Sequence, residues 1–452
     1  MEPLPAQSFM QEYLSAGKLE HPNPGWNMLL PWRLRGPLVP DALRRGLDAV
    51  VARHEVLRTG LGRDAGRPVQ LVCPHAPVPL PVVDLRGLAD ADRASTLDRI
   101  ARRQHAISFR HADGPLLAAK LVRVADQDHY LLTTVDHAVC DGWSIGVILA
   151  ELSAVYSGQV AGRDRRLWPL PAQYRDFAVR QRELAMAGGF DRQLDYWAGR
   201  LARPGPLGLD CRPAAADPAG GYRSGQVPVH IPTALAGRLR GLGQRHRVTL
   251  FMTLLAALSA VLARHAERGD VAVTTLAAGR KEAEYQRLVG LFANAVVLRT
   301  AMAGAGSFAE LLGRVKRTVL DAFGRQDAPF PLVAERTGVT GAEIWLNVAP
   351  PPPRSRFRDL EVDTRALPRD YPIDVPAGSW RGEKLICNLT DTGAEIVGLL
   401  DYNTLRLERP AIEELAAAFL AVLRDAVDDP SRALPPVGGR GPLFRAGSRS
   451  GG

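Results

Sequence analysis

The sequence predicts a mixed α/β protein built as two lobes of similar make-up. Three observations lead there. The chain has 452 residues, more than one hydrophobic core usually serves. Helix-period and strand-type segments are mixed throughout. And 46% of the residues are apolar, enough to fill a sizeable core.

The elements follow in order. "PDALRRGLDAVVARH", residues 40–54, puts Pro40 in a first turn and Leu43, Leu47, Val50 and Val51 on one face, so it reads as a helix. "HYLLTTV", 129–135, is rich in β-formers and reads as a strand. It leads into "VDHAVCDGWS", 135–144. There Ser144 reads as the N-cap of "IGVILAELSAVY", whose Ile145, Ile148, Leu149 and Leu152 form a stripe stopped at Gly158. His137 thus lies where a strand exits into a loop, and Asp141 just before a helix. Such a loop exposes its residues while rigid elements hold them.

A second lobe begins near "YRDFAVRQREL", 174–184, which divides the chain into residues 1–175 and 176–435. Gly, Pro and Ala crowd 203–221, a surface loop. Helices are expected at 233–245 and, capped by Thr249, at 250–266, with a strand at 270–277. "EIWLNV" reads as a strand ended by the prolines of 350–353. "LICNLT" and "EIVGLLDYN" read as paired strands joined at Asp391-Thr392-Gly393, and a last helix spans 409–427. The Gly/Ser/Arg-rich tail, 436–452, is expected to be disordered.

Several classes are excluded by composition. The net charge of +9 comes mostly from arginines dispersed among acidic residues, with no dense basic run and no aromatic cluster, so no nucleic-acid partner is expected. The longest apolar stretch, 250–262, is too short to cross a bilayer and is followed by Arg264 and His265. The N-terminus has no basic region leading an apolar run. Cys73, Cys140, Cys211 and Cys387 form no CxxC pair, which argues against a disulfide framework or a structural zinc. A cytoplasmic protein without membrane partner or metal is expected.

His137 alone is open to several readings. It is a structural histidine, a metal ligand with Cys140 or Asp141, a base for a Cys140 nucleophile, or a general base toward a substrate. The last is the sharpest, because an imidazole titrating near pH ~6.5 can take a proton from an incoming nucleophile at neutral pH. Asp141 would lock the loop through an ion pair, and Gly142 would leave room for a substrate arm.

At this stretch the sequence resembles a known family. Asp136-His137-Ala138-Val139-Cys140-Asp141-Gly142 is similar to the HHxxxDG signature of nonribosomal peptide synthetase condensation domains. Other family motifs follow in order: "LPAQSFMQEYL" with Gln7, "RHEVLRTGL", "YRDFAVRQREL", "GDVAVTTLAAGR" with "LVGLFANAVVLRT", "RQDAPFPLVAE" with Arg325 where histidine is usual, and "LDYNTLRLE". The resemblance covers roughly residues 4–433.

The resemblance implies two chloramphenicol-acetyltransferase-like lobes in a V-shaped pseudo-dimer with a central tunnel. It implies acidic acyl or peptidyl carrier proteins as partners, which supply donor and acceptor on phosphopantetheine arms, with no permanently bound cofactor and a monomeric enzyme. The acceptor amine, or a hydroxyl, attacks the donor thioester. His137 would be catalytic. Asp136, Asp141, Gly142 and Arg280 would be structural, with Asp141 paired to Arg280, and Trp143, Ser144 and Asn294 would lie along the tunnel. A free-standing enzyme or excised domain is expected from where the motifs end. Asp136 departs from the family's first histidine. It is expected to face inward, supported by an arginine or a backbone N–H. Its presence also opens the DxxxxDxxS pattern of heterocyclization domains, through Asp136, Asp141 and Ser144. The same fold also admits a carrier-independent acyltransferase and a non-catalytic recruitment platform.

Overall fold

A computed structural model describes residues 4–434 and 437, except 17, 20–21, 164–166, 203–221, 265–268, 340–342, 351–354, 365–366, 368–373 and 376–383. The expected loop at 203–221 and nearly all of the tail at 436–452 therefore lie outside the described residues.

The chain runs through α1 (Phe9–Ser15), β1 (Asn27–Arg35), α2 (Pro40–Arg53), β2 (Thr59–Asp64), β3 (Arg67–Val72), β4 (Val82–Asp84), α3 (Asp90–His105), β5 (Leu117–Ala125), β6 (Asp128–Asp136), α4 (Gly142–Val160), α5 (Tyr174–Met186) and α6 (Asp191–Leu201). It continues through β7 (Tyr222–Ile231), α7 (Thr233–His246), α8 (Leu250–Ala263), β8 (Asp270–Ala277), β9 (Asn294–Ala301), α9 (Phe308–Phe323), α10 (Phe330–Thr337) and β10 (Ile344–Ala349). The last elements are β11 (Glu361–Asp363), β12 (Asp374–Val375), β13 (Leu385–Asp391), β14 (Ile396–Asn403) and α11 (Arg409–Asp428).

Two compact units result. The first comprises Met1–Gly189, Ala278–Ala293 and Pro352–Ile373; the second comprises Phe190–Ala277, Asn294–Pro351 and Asp374–Gly452. A single break at 175/176 is thus replaced by a break after Gly189, with two later segments assigned to the first unit. The reason is visible at Tyr174, which opens α5. It is fully buried, and its hydroxyl lies 2.7 Å from the Leu291 carbonyl and 2.8 Å from the Ser8 hydroxyl. That anchors α5 within the first unit.

The first unit holds a five-stranded sheet in the order β11-β1-β6-β5-β4 and a separate β2–β3 hairpin. One face of the sheet packs under α3, with Leu29, Leu85, Leu97, Val122 and Leu132 in the core. β6 is central, antiparallel to both β1 and β5, and eight of its nine residues are buried. Such a strand reads as a nearly unbroken apolar and threonine run. α2 lies on α4 so closely that a Cβ at Gly46 would sit 2.7 Å from a Leu152 methyl.

The second unit holds a seven-stranded sheet in the order β12-β7-β14-β13-β10-β8-β9. β10 runs parallel to β8 and β13, and the remaining pairs are antiparallel. α8 is buried along nearly its whole length, from Met252 to Ala263, so it is a core helix. Among the described residues no single helix is long and apolar enough to cross a membrane.

Candidate active site

The signature loop begins where β6 ends. Asp136 closes the strand with its N–H on the Leu116 carbonyl (3.0 Å). Its Oδ1 then accepts the Ala138 N–H at 2.9 Å, capping the single 3-10 turn His137–Val139. His137 sits first in that turn. Its N–H donates to the Trp26 carbonyl at 3.0 Å, and the Trp26 ring meets the imidazole edge-on at 6.4 Å. Trp26 holds a left-handed backbone, φ 69°, which a bulky residue adopts only when its surroundings impose it. The imidazole is half-buried, and its Nδ1 is buried with no hydrogen-bond partner among the described residues. The exposed part of the ring is therefore the side bearing Nε2.

Asp136 is fully buried. Lys18 Nζ lies 2.6 Å from its Oδ2, and His111 Nε2 lies 3.2 Å from the same oxygen, within ion-pair range but off the line of a hydrogen bond. Burial alone would raise this carboxyl, yet the charges of Lys18 and His111 hold it well below the usual carboxylate range. The inward orientation expected for Asp136 is present, and so is the backbone N–H. The cation is Lys18 rather than an arginine.

Asp141 caps α4. Its Oδ1 accepts the Ser144 N–H (2.8 Å), the Ser144 hydroxyl (2.7 Å) and Arg280 Nη2 (3.0 Å), while its Oδ2 accepts the Phe292 N–H (3.0 Å). The helix N-cap is thus Asp141 and not Ser144. A carboxylate at that position also meets the positive end of the helix. Arg280 Nη1 donates to the Tyr285 and Leu288 carbonyls, both at 2.6 Å, its Nε is buried with no hydrogen-bond partner among the described residues, and its guanidinium lies 4.1 Å over the Phe292 ring. The preceding Gly279 has φ 65°, and a Cβ there would fall 2.0 Å from the Phe292 carbonyl oxygen. Only glycine fits.

Ser144 was expected along a substrate path, but it is fully buried. Its hydroxyl bridges Asp141, Arg280 and the Gly290 backbone, so it is part of the support. Asn294 departs from that expectation too. Its side-chain N–H groups donate to the Gln326 and Ala328 carbonyls, each at 2.8 Å, and its Oδ1 accepts the Phe330 N–H at 2.9 Å. Every polar atom of the amide thus ties the start of β9 to the "RQDAPF" stretch. Trp143 is different: 49% exposed, it keeps one bond, Nε1 to the Gln286 carbonyl at 2.9 Å. Gly142 borders open space, with nothing within 4 Å of where a Cβ would stand.

Cys140 is fully buried, and burial together with the neighbouring Asp141 charge pushes its thiol far above the ordinary range. It is no thiolate nucleophile at neutral pH. Among the described residues no group of three or more His, Cys, Asp or Glu is placed to hold a metal ion. Asp136 and Asp141 are both buried in ion pairs, so neither carboxylate of the DxxxxDxxS pattern is free to take a substrate proton. Beside these buried acids and the buried thiol, the imidazole of His137 is only half-buried. Lys18, His111 and Trp26 carry the loop without having been singled out in the sequence; a lysine 118 residues from its carboxylate leaves no local signal.

The condensation-domain family profile matches residues 5–347. Chondramide synthase cmdD of Chondromyces crocatus is 34% identical over 425 residues, 91% of this chain and 10% of that protein. Phosphinothricin tripeptide synthetase PhsC of Streptomyces viridochromogenes is 33% identical over 435 residues, 95% of this chain and 39% of that protein. The chain therefore spans well under half the length of these relatives. Among solved structures, SgcC5 of Streptomyces globisporus superposes with a TM-score of 0.78 at 27% identity, covering 95% of this chain and 100% of that one. The first condensation domain of the CDA synthetase (TM-score 0.81, 20% identity, 96% and 99% covered) and the X-domain from teicoplanin biosynthesis (0.80, 22%, 97% and 98%) share the fold. With its signature loop, its ordered motifs and these relatives, the chain belongs to the condensation-domain family of nonribosomal peptide synthetases.

Proposed function

We propose that this protein joins a carrier-bound acyl or aminoacyl thioester to an amine acceptor, with His137 as the group that handles the acceptor's proton. The observation that carries the reading is the contrast within one loop. Both acids are buried and neutralised, the thiol is buried and protonated, and a half-exposed imidazole is fixed by its backbone beside an open glycine.

The chemistry balances simply. The amine nitrogen bonds to the thioester carbon, the C–S bond breaks, and the pantetheine sulfur leaves. The proton lost by nitrogen passes to His137 Nε2 and from there to the departing sulfur. Positioning of the two arms supplies about 7–11 kcal/mol of barrier lowering in well-oriented reactions, and general-base help about 10²–10⁴-fold in rate. The carriers and their phosphopantetheine arms are substrates in this scheme, and the reading places the reaction in the cytoplasm.

A hydroxyl acceptor is the second reading, because SgcC5 was crystallised with an aryl 1,2-ethanediol. The test uses loaded carriers offered amine and hydroxyl acceptors, with products identified by mass spectrometry. His137→Ala is expected to lower turnover by at least about 10²-fold while melting like the parent. Near-parental rates in that variant would sink the role of His137. Release of neither amide nor ester by the parent would favour a recruitment platform.

A further inference from the structure

We infer that Lys18 is a positioning residue for His137, acting through the Asp136 carboxylate; the inference rests on the proton-transfer role proposed for His137. The two oxygens of Asp136 are divided between two tasks. Oδ2 meets Lys18 Nζ at 2.6 Å, and Oδ1 holds the Ala138 N–H at 2.9 Å, the residue directly after His137. Both side chains are out of solvent, Lys18 at 4% and Asp136 at 0% exposure. Asp136 is the one side-chain partner of Lys18 among the described residues.

Lys18 is itself held from behind. Its N–H donates to the Ser15 carbonyl at 2.9 Å, directly beyond α1. α1 is pinned by Gln7, whose side-chain N–H groups donate to the Gly62 and Val69 carbonyls at 3.0 Å, and whose Oε1 accepts the Ser15 hydroxyl at 3.1 Å. A path of defined contacts therefore runs from the β2–β3 hairpin through Gln7, α1, Lys18 and Asp136 to the turn that presents the imidazole. Without Lys18 the buried carboxylate keeps only His111 Nε2, 3.2 Å from Oδ2, beside it; it takes up a proton or turns toward that imidazole, and either change releases the Ala138 N–H. The lysine thus keeps the cap of the His137 turn in its working form.

Two double variants that remove both members of the Lys18–Asp136 pair and leave His111 in place separate this role from bulk stability: Lys18→Met/Asp136→Asn and Lys18→Met/Asp136→Ala. Both remove the ion pair, but only asparagine keeps an oxygen for the Ala138 N–H. The readouts are the imidazole 13Cε1 resonance of His137, assigned by its loss in His137→Ala, and kcat and KM with loaded carriers. The asparagine variant is expected to keep the parental resonance and most of kcat. The alanine variant is expected to shift or broaden the resonance and lose about tenfold or more in kcat at unchanged KM. Parental resonance and kcat in both variants, or equal losses in both, would overturn the inference. Should a double variant not fold, Lys18→Arg carries the test: its bulkier guanidinium should pull the carboxylate and displace the His137 resonance, and an unmoved resonance with parental kcat overturns the inference. A displaced resonance in the alanine variant, with no turnover even in the parent, would reject the condensation reading and leave the positioning role standing.

Discussion

Asp141 performs three tasks with two oxygens: it caps α4, holds the Phe292 N–H and neutralises Arg280. Asp141→Ala removes all three and strands a guanidinium that is 1% exposed. A loss of roughly 3–5 kcal/mol is expected, the usual cost of breaking a buried pair. Urea denaturation of the variant reads it directly, and a loss under about 1 kcal/mol would mean that water reaches Arg280. Asp136 gives a pH signature. Its folded carboxyl lies below its unfolded value, so its contribution to stability is complete above the ordinary carboxylate pKa of about 3.9 and fades as pH falls below it. Melting temperatures of the parent and Asp136→Asn should therefore differ most at neutral pH and converge as pH drops from about 4 toward 2; a constant gap would contradict the depressed carboxyl. At this scale the sequence was legible where motif and spacing carried the residue, as at the place of His137 directly after a strand and at the Asp141–Arg280 pair. It was silent at Lys18, His111 and Trp26, because a buried ion pair and a left-handed tryptophan are products of tertiary packing. Ser144 and Asn294 were misread for a related reason: a hydroxyl or amide beside a motif looks the same in sequence whether it faces substrate or backbone.

Among the elements, the close fits at β8 and α7 follow from strong local signals, a β-branched run and a leucine stripe. α4 was found but begins two residues before Ser144, because the preceding aspartate is the stronger cap once Arg280 is present to neutralise it. β6 was legible as a strand, yet alternation carried no information there, since both of its faces are covered. The short segment between β8 and β9 is the element whose shape matters most. It brings Arg280, Leu288, Gly290 and Phe292 around Asp141, and it tolerates little added volume. A Cβ at Gly290 would lie 2.1 Å from a ring carbon of Tyr174, which is itself fixed by hydrogen bonds. Gly290→Ala is expected to cost about 1–3 kcal/mol through overpacking. Differential scanning calorimetry checks this, and an unchanged melting temperature would show that Tyr174 can move aside.

Across the molecule, the first unit is assembled from three stretches of chain. Cutting at the obvious boundary therefore does not isolate it. A fragment of residues 1–189 keeps Asp141 and Tyr174 but lacks Arg280 and the Gly290 and Phe292 backbone that complete their bonding. We expect this fragment to show no cooperative thermal transition by circular dichroism, whereas the full chain does; a cooperative melt in the fragment would mean that residues 278–293 are dispensable to the unit. The same arrangement sets an order of events on the ribosome. Lys18 is already made when Asp136 appears, but Arg280 is 139 residues behind Asp141. At translation rates of about 5–20 residues per second, the nascent chain carries Asp141 without its cation for roughly seven to twenty-eight seconds. Over that interval the carboxylate is better solvated than buried, so the closed form of the loop bearing His137 is favoured only once the arginine has been made.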